Sequence, residues 1–345
     1  MIETPAAPLG DQTPIAGTLY SFYTTDVPSH WGGPVEYRFD WGDGTTSPWL
    51  SSPAASHSWS VPGRKTITVS ARRRRRPDVS ASSEGYVVLV RPDGHGAPGV
   101  DVSHHQNDKN AGVIDWTRVY AIGKRFAFIK ATDGYTEGKG CPNGTDPRFR
   151  TNMDGARKAG LLVAPYHFGR PHLHPDATVE ARQFVRVAGD YIAPGCLRPV
   201  LDFENPGDVK SPVNYARQLG KEGVSKWIRD WANEVKRLTG VEPMLYINRM
   251  YASKYVESDI ARYPLWIAGN SGDPGKAPGD LGPWARNDFM QYDWKGSIPG
   301  INGPIDFDMF NGDMESLAKL VIRDEKLPTI PQNESRGSAG SQSTP

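Results

Sequence analysis

The chain has 345 residues with 40 Lys and Arg against 39 Asp and Glu, a formal net charge of +1. That balance, with no apolar run of roughly eighteen residues, argues against nucleic acid or a membrane as a main partner. Only Cys141 and Cys196 are present, about fifty-five residues apart, which implies neither a disulfide framework nor a Cys-based zinc site and leaves one bridge between them open.

The first residues, Met1-Ile-Glu-Thr-Pro-Ala-Ala-Pro8, show neither a basic head nor an apolar stretch, so no secretion signal is expected. From Thr13 to about Arg91 the chain reads as strands and turns. Val35–Phe39, Lys65–Val69 and Tyr86–Val90 alternate or run apolar, with Asp43-Gly44 and Pro62-Gly63 as turn signals between them. The expected unit is a small β-sandwich over residues 1–92. Trp41-Gly-Asp-Gly44, His57-Ser-Trp59, Pro62-Gly63 and the strand through Val69 follow one another in the order found in PKD-type immunoglobulin-like modules, which residues 10–92 resemble. The resemblance implies a non-catalytic spacer, adhesion or polymer-binding module. Arg72 to Arg76 form a basic run that reads as a solvated hairpin loop or, more pointedly, as a contact for an anionic wall polymer. Residues 93–98 have the composition of a linker.

After Pro98 the texture changes to apolar strands alternating with amphipathic helices. Eight strands are predicted at Gly99–Ser103, Phe126–Ala131, Leu161–Phe168, Pro199–Glu204, Pro243–Asn248, Pro264–Ala268, Asp288–Tyr292 and Ile305–Phe310. Helices are predicted at Arg148–Ala159, Ala177–Ala188 and Val213–Leu238, the last with Trp227, Ile228, Trp231, Val235 and Leu238 on one face. Short loops join the final strands. The α/β fold expected over residues 99–326 is a TIM-like (β/α) barrel with an irregular last third, its active groups at the C-terminal ends of its strands. Residues 327–345 are rich in Pro, Ser, Gly and Gln and are expected to be disordered.

The polar residues predicted at one barrel mouth are coherent. Strand one offers Asp101, strand four Asp202 and Glu204, and strand eight Asp306 and Asp308. Aromatic and amide groups come from Tyr166, Tyr246, Trp266, Gln291 and Tyr292 as candidate substrate contacts, with Asn248 ending strand five. At i and i+2 of a strand, Asp202 and Glu204 point the same way with Cα atoms about 6–7 Å apart, while Phe203 faces the packing side. Carboxylates without a Ser elbow, a Cys nucleophile or a metal cluster suit cleavage of a glycosidic bond, where one acid protonates the leaving oxygen and another stabilises an oxocarbenium-like centre. No metal and no cofactor are expected there. His172-Leu-His174 lacks the helical i, i+4 spacing of metal peptidases and reads as a loop. Gly134 to Gly140 lacks the spacing and the Ser or Thr of a phosphate loop.

Residues 99–322 resemble the family 25 glycoside hydrolases, bacterial and phage lysozymes that cut the β-1,4 bond between N-acetylmuramic acid and N-acetylglucosamine. The matching motifs are Gly-Val-Asp101-Val-Ser-His-His-Gln106, Phe128-Ile-Lys-Ala-Thr-Asp-Gly134, Pro165-Tyr-His-Phe168, Leu201-Asp-Phe-Glu204, Gln291-Tyr292 and Ile305-Asp-Phe-Asp-Met-Phe-Asn-Gly312, with no departure at a catalytic position. The resemblance implies that Glu204 is the catalytic acid, Asp202 its partner at the reacting centre, and Asp101 and Asp306 flanking acids; Asp308 is secondary. It also implies peptidoglycan glycan strands as substrate and a phage endolysin or virion-associated lysin acting at the wall. The alternative is a wall-glycan binding or adhesion protein whose barrel holds sugar without cutting it; a metal-dependent carbohydrate deacetylase stands third.

Overall fold

The computed structural model describes residues 2–28, 33–74, 76–91, 96–107, 112–134, 140–205, 215–269, 271–274 and 276–323. The predicted tail, residues 92–95 of the linker region, and the interior of the Gly134 to Gly140 loop lie outside the described residues.

The N-terminal part holds β1 (Tyr20–Tyr23), β2 (Val35–Asp40), β3 (Ala54–His57), β4 (Gly63–Arg73), β5 (Arg76–Ser82) and β6 (Tyr86–Val90). β1 pairs with β3, and β4 pairs with β2, β5 and β6, all antiparallel. Alternation buries Phe22, Phe39, Trp41, Trp59, Ile67 and Val69 in one shared core. The Trp-Gly-Asp-Gly turn is tied into that core. The His57 ring stacks on Trp41 at 4.7 Å and meets Asp43 at 2.8 Å, and Trp59 Nε1 donates to the Trp41 carbonyl at 3.0 Å. Of the arginine run, Arg72 and Arg73 end β4 and Arg76 opens β5, Arg73 pairing with Arg76, while Arg75 lies outside the described residues. Arg72 donates twice to Glu36, at 3.1 and 3.0 Å, and lies over the Trp49 ring, while Arg74 pairs with the same Glu36 at 3.4 Å. Part of the run's charge is therefore neutralised within the module.

The catalytic-sized unit is a closed barrel of β7 (Ala97–Val102), β8 (Phe126–Asp133), β9 (Leu162–Phe168), β10 (Val200–Phe203), β11 (Met244–Asn248), β12 (Leu265–Ala268), β13 (Phe289–Ile298) and β14 (Ile301–Phe310). β7 takes in Ala97 and Pro98, which composition assigns to the linker. Side chains alternate about the wall. Phe126, Phe128, Tyr166, Val200, Tyr246, Trp266 and Phe289 fill the interior, and the opposite row packs against helices. These are α1 (Trp116–Ala121), α2 (Phe149–Lys158), α3 (Ala177–Ala188), α4 (Tyr215–Thr239), α5 (Arg249–Lys254) and α6 (Met314–Ala318). Asp115, Asp176, Asn248 and Asp313 cap α1, α3, α5 and α6 by accepting a backbone N–H of the first turn. The amphipathic face expected of α4 is buried, with Phe203 of β10 on Trp227 at 5.7 Å.

One strand departs from a (β/α) barrel. β14 runs antiparallel to both β13 and β7, because the Pro299-Gly300 turn, with Gly300 at φ +96, folds β13 straight back without a crossover helix. The expectation that Asp306 and Asp308 sit at a C-terminal strand end is corrected accordingly. Asp306 pairs with Asp101 at the mouth, and Asp308 pairs with Gly99 one step deeper.

The two parts touch. Gly96 N donates to the Gly312 carbonyl at 2.7 Å, Arg64 reaches Asp273 at 3.1 Å, and Tyr292 OH meets Gln12 at 3.4 Å. Asp11 packs so closely on Gly123 that a Cβ there would overlap its carboxylate. Cys141 and Cys196 are both buried free thiols, so the bridge left open by the sequence is not formed. His172 stacks on Tyr215 at 3.9 Å and His174 bonds the Gly134 carbonyl at 3.1 Å, which gives the pair packing roles.

Candidate active site

At the mouth, a cavity of about 240 Å³ is lined by Asp101, Asp202, Glu204 and Asp306 together with Tyr166, Tyr246, Trp266 and Gln291. A larger hollow of about 1010 Å³ lies at the other end of the barrel, against Gly96, Asp288 and Phe310, and lacks this convergence of acids. Chemistry, not volume, distinguishes the two. Strand geometry explains the convergence: Asp202 is level with Tyr246 of β11 and Phe168 of β9, and Glu204 stands just past the end of β10 on the same side.

On the β7–β14 side, the four acceptors and donors form a chain. Tyr246 OH donates to Gln291 Oε1 at 2.9 Å, and Gln291 Nε2 donates to Asp101 Oδ2 at 2.8 Å. Asp101 and Asp306 are hydrogen-bonded to each other. Burial, reinforced by the charges of Asp306 and Asp308, holds Asp101 well above the usual carboxylate range, and burial lifts Asp306 to about 6.

The β10 side has cations. Burial raises Asp202, with the Glu204 charge adding to it and Lys130 opposing. Burial likewise pushes Glu204 up to about 7 against the pull of Lys130 and Arg170. Lys130 Nζ donates to Asp133 at 2.8 Å, and Arg170 grips the same carboxylate at 2.7 and 3.1 Å. Both cations lie over the Phe168 ring, at 4.8 and 4.4 Å. Asp202 Oδ1 is buried and has no hydrogen-bond partner among the described residues. An acceptor buried without a donor is costly, and such a site is met by a ligand N–H or O–H.

Not every candidate reaches the cavity. Tyr292 follows the inward Gln291 and therefore points outward, 2 % exposed, against Gln12 and the Phe307 ring. Its reading as a substrate contact is corrected. Asp308 is fully buried beneath the mouth, where it accepts from Trp266 Nε1 at 2.8 Å; it supports the floor and is not among the residues that line the mouth cavity. Trp266 lines the cavity yet is 2 % exposed, wedged between Phe128 and Tyr246, so it serves as floor more than as platform. Asn248 caps α5. Sequence reasoning missed Lys130, Phe168, Ser103, His105 and Gln106, which also line the cavity. The signal for Lys130 was strand parity: it extends the inward row Phe126, Phe128.

Residues 100–301 match the family described as Glycosyl hydrolases family 25. A protein of Escherichia coli (strain K12) called YegX, described as uncharacterized, is 32% identical over 235 residues, which is 67% of this chain and 75% of that one. Lysozyme M1 of Streptomyces globisporus is 30% identical over 233 residues, 66% of this chain and 72% of its own length. Among solved structures, a bacterial lysozyme from Streptomyces coelicolor superposes with a TM-score of 0.54 at 28% identity, over 66% of this chain and 97% of that one.

Proposed function

The chain belongs to glycosyl hydrolases family 25, and from that premise we propose that it is a lysozyme that hydrolyses the β-1,4 bond between N-acetylmuramic acid and N-acetylglucosamine in peptidoglycan. It is a glycoside hydrolase, with relatives named lysozyme and N,O-diacetylmuramidase. The observation that carries the finer reading is the Asp202–Glu204 pair, side by side at the mouth, with one acid pushed into the neutral range and the other offering an unpartnered buried oxygen.

In the proposed reaction Glu204 gives its proton to the glycosidic oxygen as the C1–O bond breaks. Two acids on one strand lie on the same side of the sugar, a poor arrangement for attack from the opposite face. The nucleophile is then the carbonyl oxygen of the substrate's own 2-acetamido group, which closes on C1, while Asp202 Oδ1 accepts from the amide N–H. Water opens the oxazolinium-like intermediate, passing its proton to the Glu204 carboxylate, with net retention. Asp101 and Asp306 order the pocket opposite.

The N-terminal strands act in this proposal as a PKD-like spacer, and the enzyme serves as a phage endolysin or virion-associated lysin. The Glu36 pairing within the arginine run favours the spacer role over wall binding by Arg72 to Arg76. Mass spectrometry of digested purified peptidoglycan tests the central reading. New reducing ends on muramic acid are expected; new ends on glucosamine, or bound glycan left uncut, would refute it, and loss of acetyl groups inhibited by a chelator would point to a deacetylase.

A further inference from the structure

Beside the acid cleft, three side chains from separate stretches of sequence meet. His104 follows β7, and Cys141 and Asp146 lie between β8 and α2, 37 and 42 residues further along. His104 Nδ1 stands 2.9 Å from Asp146 Oδ2 and 4.0 Å from Cys141 Sγ, and one donor atom of each residue lies within 4.8 Å of the others. Cys141 and Asp146 are buried and His104 is half-buried. We propose that His104 Nδ1, Cys141 Sγ and Asp146 Oδ2 form a binding site for one divalent cation of the zinc type, distinct from the acid cavity.

The donor set is the first argument. Imidazole nitrogen, thiolate and carboxylate are the ligands zinc takes, and three protein ligands leave its fourth position for water. Zinc–ligand distances of about 2.0–2.3 Å separate tetrahedral ligand atoms by roughly 3.3–3.8 Å, so closure draws Cys141 Sγ inward by up to about 1 Å and opens the His104–Asp146 contact by a few tenths of an ångström.

Pre-organisation is the second argument. Asp146 is clamped before any ion arrives: its Oδ1 accepts from Arg148 N at 2.8 Å, its Oδ2 accepts from His104 N at 2.9 Å, and its own N–H donates to the Ala131 carbonyl at 2.9 Å. A carboxylate fixed from outside is the support that metal ligands require. Gly140 lets the imidazole sit as it does, since a Cβ there would stand 2.5 Å from His104 Nε2. Nδ1 is thereby turned toward Cys141 and Asp146. Binding releases the thiol proton and the proton between Nδ1 and Asp146 to solvent. The ion would also pin the turn whose next residues, His105 and Gln106, line the cleft.

The ligands hold independently of the proposed reaction, and so does their test. Cobalt is titrated into the chelator-treated full chain and followed by near-ultraviolet absorption, and zinc binding is measured by calorimetry, with far-ultraviolet circular dichroism as a check on folding. One ion per chain with a sulfur-to-metal charge-transfer band is expected. Cys141→Ser should abolish the band, and Cys141→Ser and Asp146→Asn should each weaken zinc about tenfold or more. Should either variant misfold, His104→Gln takes its place. A cobalt complex without the thiolate band, or zinc affinity equal in wild type and the folded variants, overturns the site and leaves an ordinary His–Asp hydrogen bond beside a buried thiol.

Discussion

The two pairs of acids that share the barrel mouth differ in what surrounds them. Asp101 and Asp306 are held by each other and by the Gln291 amide, with buried Asp308 behind them. Asp202 and Glu204 stand beside Lys130 and Arg170, both anchored on Asp133. Burial and repeated negative charge, which Lys124 offsets only at Asp308, keep a proton bound, so in the proposed reaction the β7–β14 pair is suited to holding geometry. Cations nearby oppose the burial that raises both members of the β10 pair, so in the proposed reaction this pair can give up and regain the one proton that acid catalysis of glycosyl transfer moves. In the proposed reaction the same residue type is thus given two jobs by its neighbours.

The largest effect should come from the β10 pair. Glu204→Gln keeps the shape and removes the proton donor, so kcat on purified cell wall should fall at least about a hundredfold with folding intact; near-normal lysis would erase the distinction between the pairs. Asp101→Asn and Asp306→Asn should impair turnover by about tenfold, the scale of lost orientation. A loss from either that equals the Glu204→Gln loss would move the proton transfer to the wrong side of the barrel.

Lys130 sharpens the comparison. Its charge pulls Glu204 down against burial, so Lys130→Gln should raise the Glu204 pKa and shift the alkaline limb of the pH–rate profile to higher pH, with Lys130→Arg restoring it. An unmoved limb in a folded, active Lys130→Gln enzyme would show that the cation tunes nothing.

The smallest effect concerns stability. Asp308 is buried with its pKa raised by that burial, above the unfolded value of about 3.9. A folded pKa above the unfolded one means that ionisation opposes folding, so this group costs stability progressively as pH rises from about 4. Asp308→Asn keeps the acceptor for Trp266 Nε1 and removes the charge. Its Tm should match wild type near pH 4 and exceed it at pH 8; the reverse order would mean that Asp308 is a stabilising anion in the folded state.

Much of this was legible in the sequence because the barrel imposes simple periods. Six of the eight strands lie within two residues of their predicted bounds, while β13 runs six residues past its predicted end and β14 starts four residues early; i, i+2 spacing puts Asp202 and Glu204 on one face and Phe203 on the packing side. What was missed was partly readable by the same rule. Gln291 and Tyr292 are adjacent in a strand and cannot both face inward, and Lys130 continues the inward row of Phe126 and Phe128. Pro299-Gly300 between Ile298 and Ile301 is a hairpin signal that reverses β14. Contacts such as Asp11 on Gly123 or His104 on Asp146 carry no period, since only the folded chain brings those segments together.

The claim on which the account rests is that Glu204 keeps its proton up to about neutral pH because burial outweighs Lys130 and Arg170. Carbon-13 NMR of glutamate-labelled protein, with the Glu204 carboxyl assigned by its absence in Glu204→Gln, reads that directly. The account predicts a titration midpoint at about 7, moving upward in Lys130→Gln. A midpoint at about 4.3, the value of a solvated glutamate, would contradict it.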